Sequence, residues 1–283
     1  PIKRAIRPLN ATFWSLAAAP PAAQWRRCWR KKAANDDLDR QVFIATATWP
    51  DEIRKDKRFY SPGSEEPTPL LAGFPDMVRH SDWHYQARPL DETSATAPHR
   101  PAHLGQIDQA LTLQSRRLGD RKAPLIERQY ALPWLIHLVG DAHQPLHLSL
   151  RLDASGEWDR LGAGLMVSNP FNPRKPLTTL HAFWDDLPGA PGLRGNALDT
   201  TIQALLDRYP QAPHRSGTAE WLDESWRLAR DYGYPDIQAD TPTTLSEVFF
   251  ERSRDIAARR VAEAGHRLGA LLNTLLGKQK TGQ

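Results

Sequence analysis

Between residues 134 and 147 the chain reads WLIHLVGDAHQPLH. Leu135, Ile136, Leu138 and Val139 imply a helix buried in a core, yet the same stretch carries His137 and Asp141. Residues four apart share one helix face. A single histidine on an apolar helix is more often a core residue with a hydrogen bond than a ligand. An aspartate there is harder to accommodate, because a buried, unpaired carboxylate costs roughly several kcal/mol and needs a cation or protons. Imidazole nitrogen and carboxylate oxygen both bind zinc at about 2.0–2.2 Å, so such a pair can grip one ion. Pro145 then interrupts the helix and turns His147 in a different direction, toward a neighbouring metal.

The segment TTLHAFWDD repeats the device, with His181 and Asp185 again four residues apart. Two such pairs and a displaced histidine favour metal over coincidence. Cys28 is the only cysteine, which excludes an internal disulfide, a cysteine zinc finger and a redox pair. Any metal must therefore bind through histidines and carboxylates.

The rest of the chain sets a helical frame around these residues. Ile107, Leu111 and Leu118 recur at helical spacing, as do Ile202, Leu205 and Leu206. The last helix runs from about Leu245 to a glycine cap at Gly277. Pro/Gly-rich loops fall near 61–69, 152–176, 186–196 and 209–218, and only GLMVSN fits a short hairpin. No internal repeat is visible. The expectation is an all-α, single-domain bundle over 36–277, preceded by a divergent basic segment, 1–35, and followed by a short tail, 278–283. At 40 % hydrophobic and 25 % charged residues the composition is that of a soluble globular protein. No apolar run reaches eighteen residues, and the start carries no clear signal peptide. Residues 1–35 hold eight Lys/Arg and no acid, against a net charge of +4 for the whole chain. The remainder is thus mildly acidic, and a global footprint for nucleic acid is absent.

HLVGDAHQPLH followed by LHAFWDD resembles the S1/P1 nuclease family, zinc-dependent secreted enzymes that cut single-stranded DNA and RNA to 5'-phosphate products. ATATWPDEIR at 45–54, SDWHYQ at 81–86 and AGHRLGALLN at 264–273 are similar to further motifs of that family. The resemblance implies that Asp51, His84, His137 and Asp141 hold one zinc and that His147, His181 and Asp185 hold a second, with Asp141 bridging to a third. It implies catalytic roles for Asp51 and for Arg54, whose guanidinium suits phosphate oxygens in the transition state, and a stacking role for Tyr85 against a base. It also implies single-stranded nucleic acid as substrate, secreted or periplasmic residence and no protein partner.

Two features depart from the family. The N-terminal tryptophan and nearby histidine that hold its third zinc have no counterpart, the first histidine being His80. After Asp159 and Arg160 the chain has LGAG where the family has Gly-Gly-Asn. His80 stands four residues before His84 as a rival ligand; His143 suits a structural or supporting role; His99, His103, His214 and His266 are solvated or packed. Alternative readings at this point are a zinc phospholipase C-like phosphodiesterase, a catalytically impaired zinc-binding homologue lacking the third metal, and a non-catalytic zinc protein whose basic arm binds nucleic acid or anionic membrane.

Overall fold

The computed structural model describes residues 43–97, 99, 101, 103–153, 155–189, 193, 195–210, 217–236 and 242–277. The basic segment 1–35, His214 and the tail 278–283 lie outside them. Among the described residues the helices are α1 (Trp49–Glu52), α2 (Glu92–Thr96), α3 (Ile107–Gly119), α4 (Leu125–Asp141), α5 (Leu180–Asp185), α6 (Gly195–Arg208), α7 (Thr218–Tyr232) and α8 (Glu247–Leu276). The strands are β1 (Arg88–Pro89), β2 (Ser149–Leu150), β3 (Met166–Ser168), β4 (Leu177–Thr179) and β5 (Thr243–Thr244). The fold is all-α, and GLMVSN does open a hairpin: β3 pairs antiparallel with β4, Met166 opposite Thr179, while β5 joins β3 in parallel. The described residues group into two compact units, one from 43–81, 109–139 and 268–277, the other from 82–108 and 140–267.

In the first unit an aromatic nucleus surrounds Trp49, whose ring lies 5.8–6.2 Å from those of Phe59, Phe74, Tyr130 and Trp134. Such edge and stacked pairs add about 0.5–1.5 kcal/mol each beyond the area they bury. Leu132, Trp134, Leu135, Ile136, Leu138 and Val139 are all buried, so α4 is enclosed on nearly every side, as its composition requires. At the far end of α8, Gly277 N–H donates to Asn273 C=O at 2.9 Å, and a Cβ at Gly277 would stand 2.3 Å from that oxygen. Glycine is thus obligatory where the helix ends.

The second unit has its own core, in which Leu146, Val167, Leu180, Phe183, Trp184, Leu245 and Phe249 pack together. Thr179 Oγ1 caps α5 by accepting from Ala182 N–H at 3.2 Å, and Trp184 Nε1–H anchors the helix on Gly233 C=O at 2.9 Å. Leu180, Phe183 and Trp184 face the core, which leaves His181 and Asp185 on the other side of α5.

A charged cluster built on two buried arginines also lies in this unit. Glu224 accepts from Arg260 Nη1 at 2.7 Å and from Arg267 Nη1 and Nη2 at 2.6 and 2.9 Å, the fork-to-carboxylate geometry of a strong pair. Burial pushes the Glu224 carboxyl up, but the two guanidiniums outweigh it and hold it at about 2. Its ordinary value is 4.5, so the stabilisation is complete above that pH and fades as pH falls toward about 2. Glu224→Gln leaves Arg267 without a carboxylate. Because Glu224 is one-third exposed, water softens the loss, and the expected cost is about 2–3 kcal/mol at pH 7. Chemical denaturation of chelator-treated protein at pH 7 and pH 3 checks this: the variant's deficit shrinks at the lower pH.

Candidate metal centre

The path of the chain brings distant candidate residues together. β1 and β2 are parallel, Arg88 opposite Ser149 and Pro89 opposite Leu150, and Gln86 N–H donates to His147 C=O at 2.9 Å. This pairing sets His84 beside His147, whose Nδ1–H donates to the His84 carbonyl at 2.6 Å. Helix α4 ends at Asp141, four residues before Pro145 and not at the proline itself. Pro145 instead opens a 3₁₀ turn, Pro145–Leu148, where its missing N–H costs nothing. Gln144 caps that turn by accepting from Leu146 N–H at 2.5 Å. The result is that His147 leaves the α4 axis, as the sequence implies.

Asp141 Oδ2 lies 3.1 Å from His84 Nδ1, and its Oδ1 lies 3.8 Å from His147 Nδ1. His147 Nε2 is 3.6 Å from Asp185 Oδ1, and His181 Nε2 is 3.5 Å from Asp185 Oδ2. The rings of His147 and His181 stack with centroids 5.0 Å apart. One donor atom from each of His147, His181 and Asp185 lies within 4.8 Å of the other two. In the first unit His137 Nε2 stands 3.9 Å from Asp51 Oδ1. Donors that share one tetrahedral ion at 2.0–2.2 Å are separated by roughly 3.3–3.6 Å, close to these spacings and longer than a good hydrogen bond.

The histidine tautomers follow from their other ring nitrogen. His137 Nδ1 meets Ala47 C=O at 2.7 Å, His147 Nδ1 meets His84 C=O, and His181 Nδ1 meets Leu161 C=O at 2.8 Å. A carbonyl can only accept, so each Nδ1 carries the proton and each Nε2 is the atom that could take a metal. Asp185 is steadied in turn by Gln144 Nε2–H at 2.8 Å. Burial works against a charged His147, but the carboxylates of Asp141 and Asp185 prevail and raise it to about 9. Burial and the charge of His147 push His181 down. For Asp185, burial pulls upward, while His147, His181 and the Gln144 hydrogen bond hold it below the usual carboxylate range.

The loop that holds His181 was not legible in the sequence. Arg160, Leu161 and Gly162 follow one another with φ of 51°, 61° and 82°, a left-handed turn that strains the two residues with side chains. A Cβ on Gly162 would meet Leu146 Cδ1 at 2.9 Å. Buried Asp159 ties the turn together, its Oδ2 accepting from Gly162 N–H at 3.1 Å and from the Tyr234 hydroxyl. The turn offers two carbonyls to His181: Leu161 C=O to the ring and Gly162 C=O to the backbone N–H at 3.2 Å.

The model of the S1/P1 Nuclease family matches residues 24–277. The chain belongs to the S1/P1 nuclease family. It is a nuclease, a hydrolase of phosphodiester bonds. Endonuclease 1 of Arabidopsis thaliana is 26 % identical over 241 residues, covering 72 % of this chain and 73 % of that protein. Endonuclease 4 of the same plant is 28 % identical over 170 residues, covering 53 % and 51 %. Nuclease S1 of Aspergillus oryzae is 27 % identical over 165 residues, covering 51 % and 54 %. The chain thus spans about half the length of the last two. The family match begins inside the basic N-terminal segment that composition sets apart.

Within this family frame the remaining sequence candidates find their places. Arg54 follows α1 in a 3₁₀ turn, its Nη1 3.4 Å from Asp51 Oδ1, and both side chains are half exposed. Tyr85 is half-buried, and its carbonyl accepts from Ile107 N–H at 3.1 Å. His80 pairs with Asp76 at 3.1 Å, a carboxylate that also accepts from the Tyr130 hydroxyl at 3.1 Å. His143 is buried and accepts from Arg267 Nη1 at 2.9 Å, a packed, hydrogen-bonded position. His266 Nε2 lies 3.2 Å from Tyr209 C=O, a packed position as expected.

Proposed function

We propose that this nuclease is zinc-dependent and cleaves single-stranded DNA and RNA to 5'-phosphate products. The observation that carries the reading is the shared arrangement of His137, His147 and His181. Each commits Nδ1–H to a backbone carbonyl and directs Nε2 toward a carboxylate 3.5–3.9 Å away. An all-nitrogen-and-oxygen donor set of this kind suits zinc. One ion is assigned to Asp51, His84, His137 and Asp141, a second to His147, His181 and Asp185. Of these residues only Asp141 is a candidate for a third. When bound, zinc supplies activation of water near neutral pH and stabilisation of charge on phosphate oxygens.

The chain's own groups do the rest. Arg54 carries a planar fork beside Asp51 and moves onto the phosphate oxygens of the substrate, where charge grows in the transition state. Tyr85 stacks on a base, a contact worth about 1–3 kcal/mol and indifferent to base identity. Asp51 would hold the ion, and its Oδ1 also lies 3.4 Å from Arg54 Nη1. Secreted or periplasmic residence belongs to the same reading; no helix among the described residues is long and apolar enough to cross a membrane.

Incubation of the protein with single-stranded DNA, RNA and phosphatidylcholine, each with zinc and with chelator, tests the proposal. The expected result is zinc-dependent cleavage of both nucleic acids, leaving 5'-phosphates. Cleavage of phosphatidylcholine alone overturns it in favour of a lipase-like phosphodiesterase. Bound zinc without hydrolysis of any substrate makes the metal structural.

A further inference from the structure

Resting on the zinc reading above, we propose that Arg260 and Arg267 of α8 are positioning residues for the metal centre, clamping the three-residue link between Asp141 and His147's turn. The motif AGHRLGALLN, which contains Arg267, has no part in the chemistry derived so far. Its arginine, however, reaches a decisive place.

Residues 142–144 lie just past the end of α4, where backbone carbonyls lose their helical donors and must find others. The replacements come from α7 and α8. Ser225 Oγ–H donates to Ala142 C=O at 2.7 Å, and Arg260 Nε–H donates to His143 C=O at 3.3 Å. Arg267 Nη1–H donates to His143 Nε2 at 2.9 Å, which fixes that ring as the neutral form with its proton on Nδ1. Arg260 also locks Ser225 from behind, Nη2 to Oγ at 2.8 Å. The Ala142 and His143 carbonyls and the His143 ring are therefore all held by this cluster.

Both guanidiniums are themselves immobilised. Arg260 is 3 % and Arg267 6 % exposed, and their carboxylate partners are Glu224 and Glu263. Rigid donors of this kind transmit position. Asp141 and His147, at the two ends of the clamped link, carry ligating atoms whose mutual placement decides affinity, and losing a group that orients a ligand typically lowers metal affinity about 10–100-fold. Lysine in place of Arg267 retains a charge for Glu224 but has no planar fork with which to reach His143 as well.

The test compares zinc affinity, by chelator competition well below the unfolding temperature, in wild type, Arg267→Lys and Leu118→Ala. Leu118 is fully buried on α3, and its truncation is a general destabilisation of about 2–5 kcal/mol. Arg267→Lys is expected to bind zinc about 10–100-fold more weakly while Leu118→Ala binds as wild type does. Equal affinity in all three, or equal losses in both variants, overturns the clamp. Wild type that binds no zinc overturns the reading beneath it, a distinct outcome. If Arg267→Lys does not fold, Arg260→Lys, which keeps a cation for Glu263, makes the same comparison.

Discussion

Asp141→Asn is expected to lower hydrolysis of single-stranded DNA about a thousandfold or more and to reduce the zinc content by at least one ion per chain. The carboxylate stands between two histidines, 3.1 Å from His84 Nδ1 and 3.8 Å from His147 Nδ1. It shares the end of α4 with His137, and in the proposed assignment it would hold the first ion and is the candidate for a third. Asparagine preserves the volume, so the core of the second unit is undisturbed. What disappears is one negative charge at 12 % exposure, where little water compensates for it. Losing a single preorganised charge-stabilising group costs about 10²–10³ in rate, and losing the ion that it holds costs more. Zinc counted by elemental analysis and kcat measured on the same preparation decide the matter. If Asp141 were only the ion-pair partner of His84 and His147, the variant would lose stability yet keep its zinc and most of its rate.

How much of this could be read from the sequence depends on whether side chains or backbone do the work. The His137/Asp141 and His181/Asp185 pairs were legible because helix periodicity places residues four apart on one face, and α4 and α5 are helices there. Spacing alone was not sufficient. Asp76 and His80 show the same four-residue interval, yet they pair with each other and with Tyr130 in the aromatic nucleus of the first unit. The carbonyls of Ala47, His84 and Leu161, which fix three histidine tautomers, have no sequence signature at all, since every residue carries one. The left-handed turn at 160–162 announces itself only through Gly162, and Arg160 and Leu161 give no hint of positive φ. Arg260 and Arg267 did leave a trace. They stand seven apart on α8, on the face that also buries Ser253 and Ala257, and a buried arginine needs a carboxylate to meet it. Glu224, on another helix, supplies it, and only the fold reveals that pairing.

Zinc loading of the His147, His181 and Asp185 group is expected to weaken about tenfold for each pH unit below about 9, so that affinity at pH 6 is about a hundredfold lower than at pH 8. In the metal-free protein His147 is protonated at neutral pH, held at about 9 by Asp141 and Asp185 against its burial. Its second ring proton then sits on Nε2 and points at Asp185, the position that the metal requires. Binding must expel that proton. His181 has its titration pushed down by burial and by His147, so it is already neutral and surrenders none. One proton per ion is therefore released from this group at pH 7. The same shift governs metal-free stability with the opposite sense. A histidine raised from 6.5 to about 9 contributes fully below 6.5, and its contribution is lost as pH rises through about 9. Alkaline conditions thus loosen the metal-free chain while tightening zinc. Chelator competition between pH 6 and 8, with calorimetry in two buffers of different ionisation enthalpy, measures both the slope and the proton count. A flat affinity over that range, or no proton released, would mean that the two carboxylates do not hold the proton on His147.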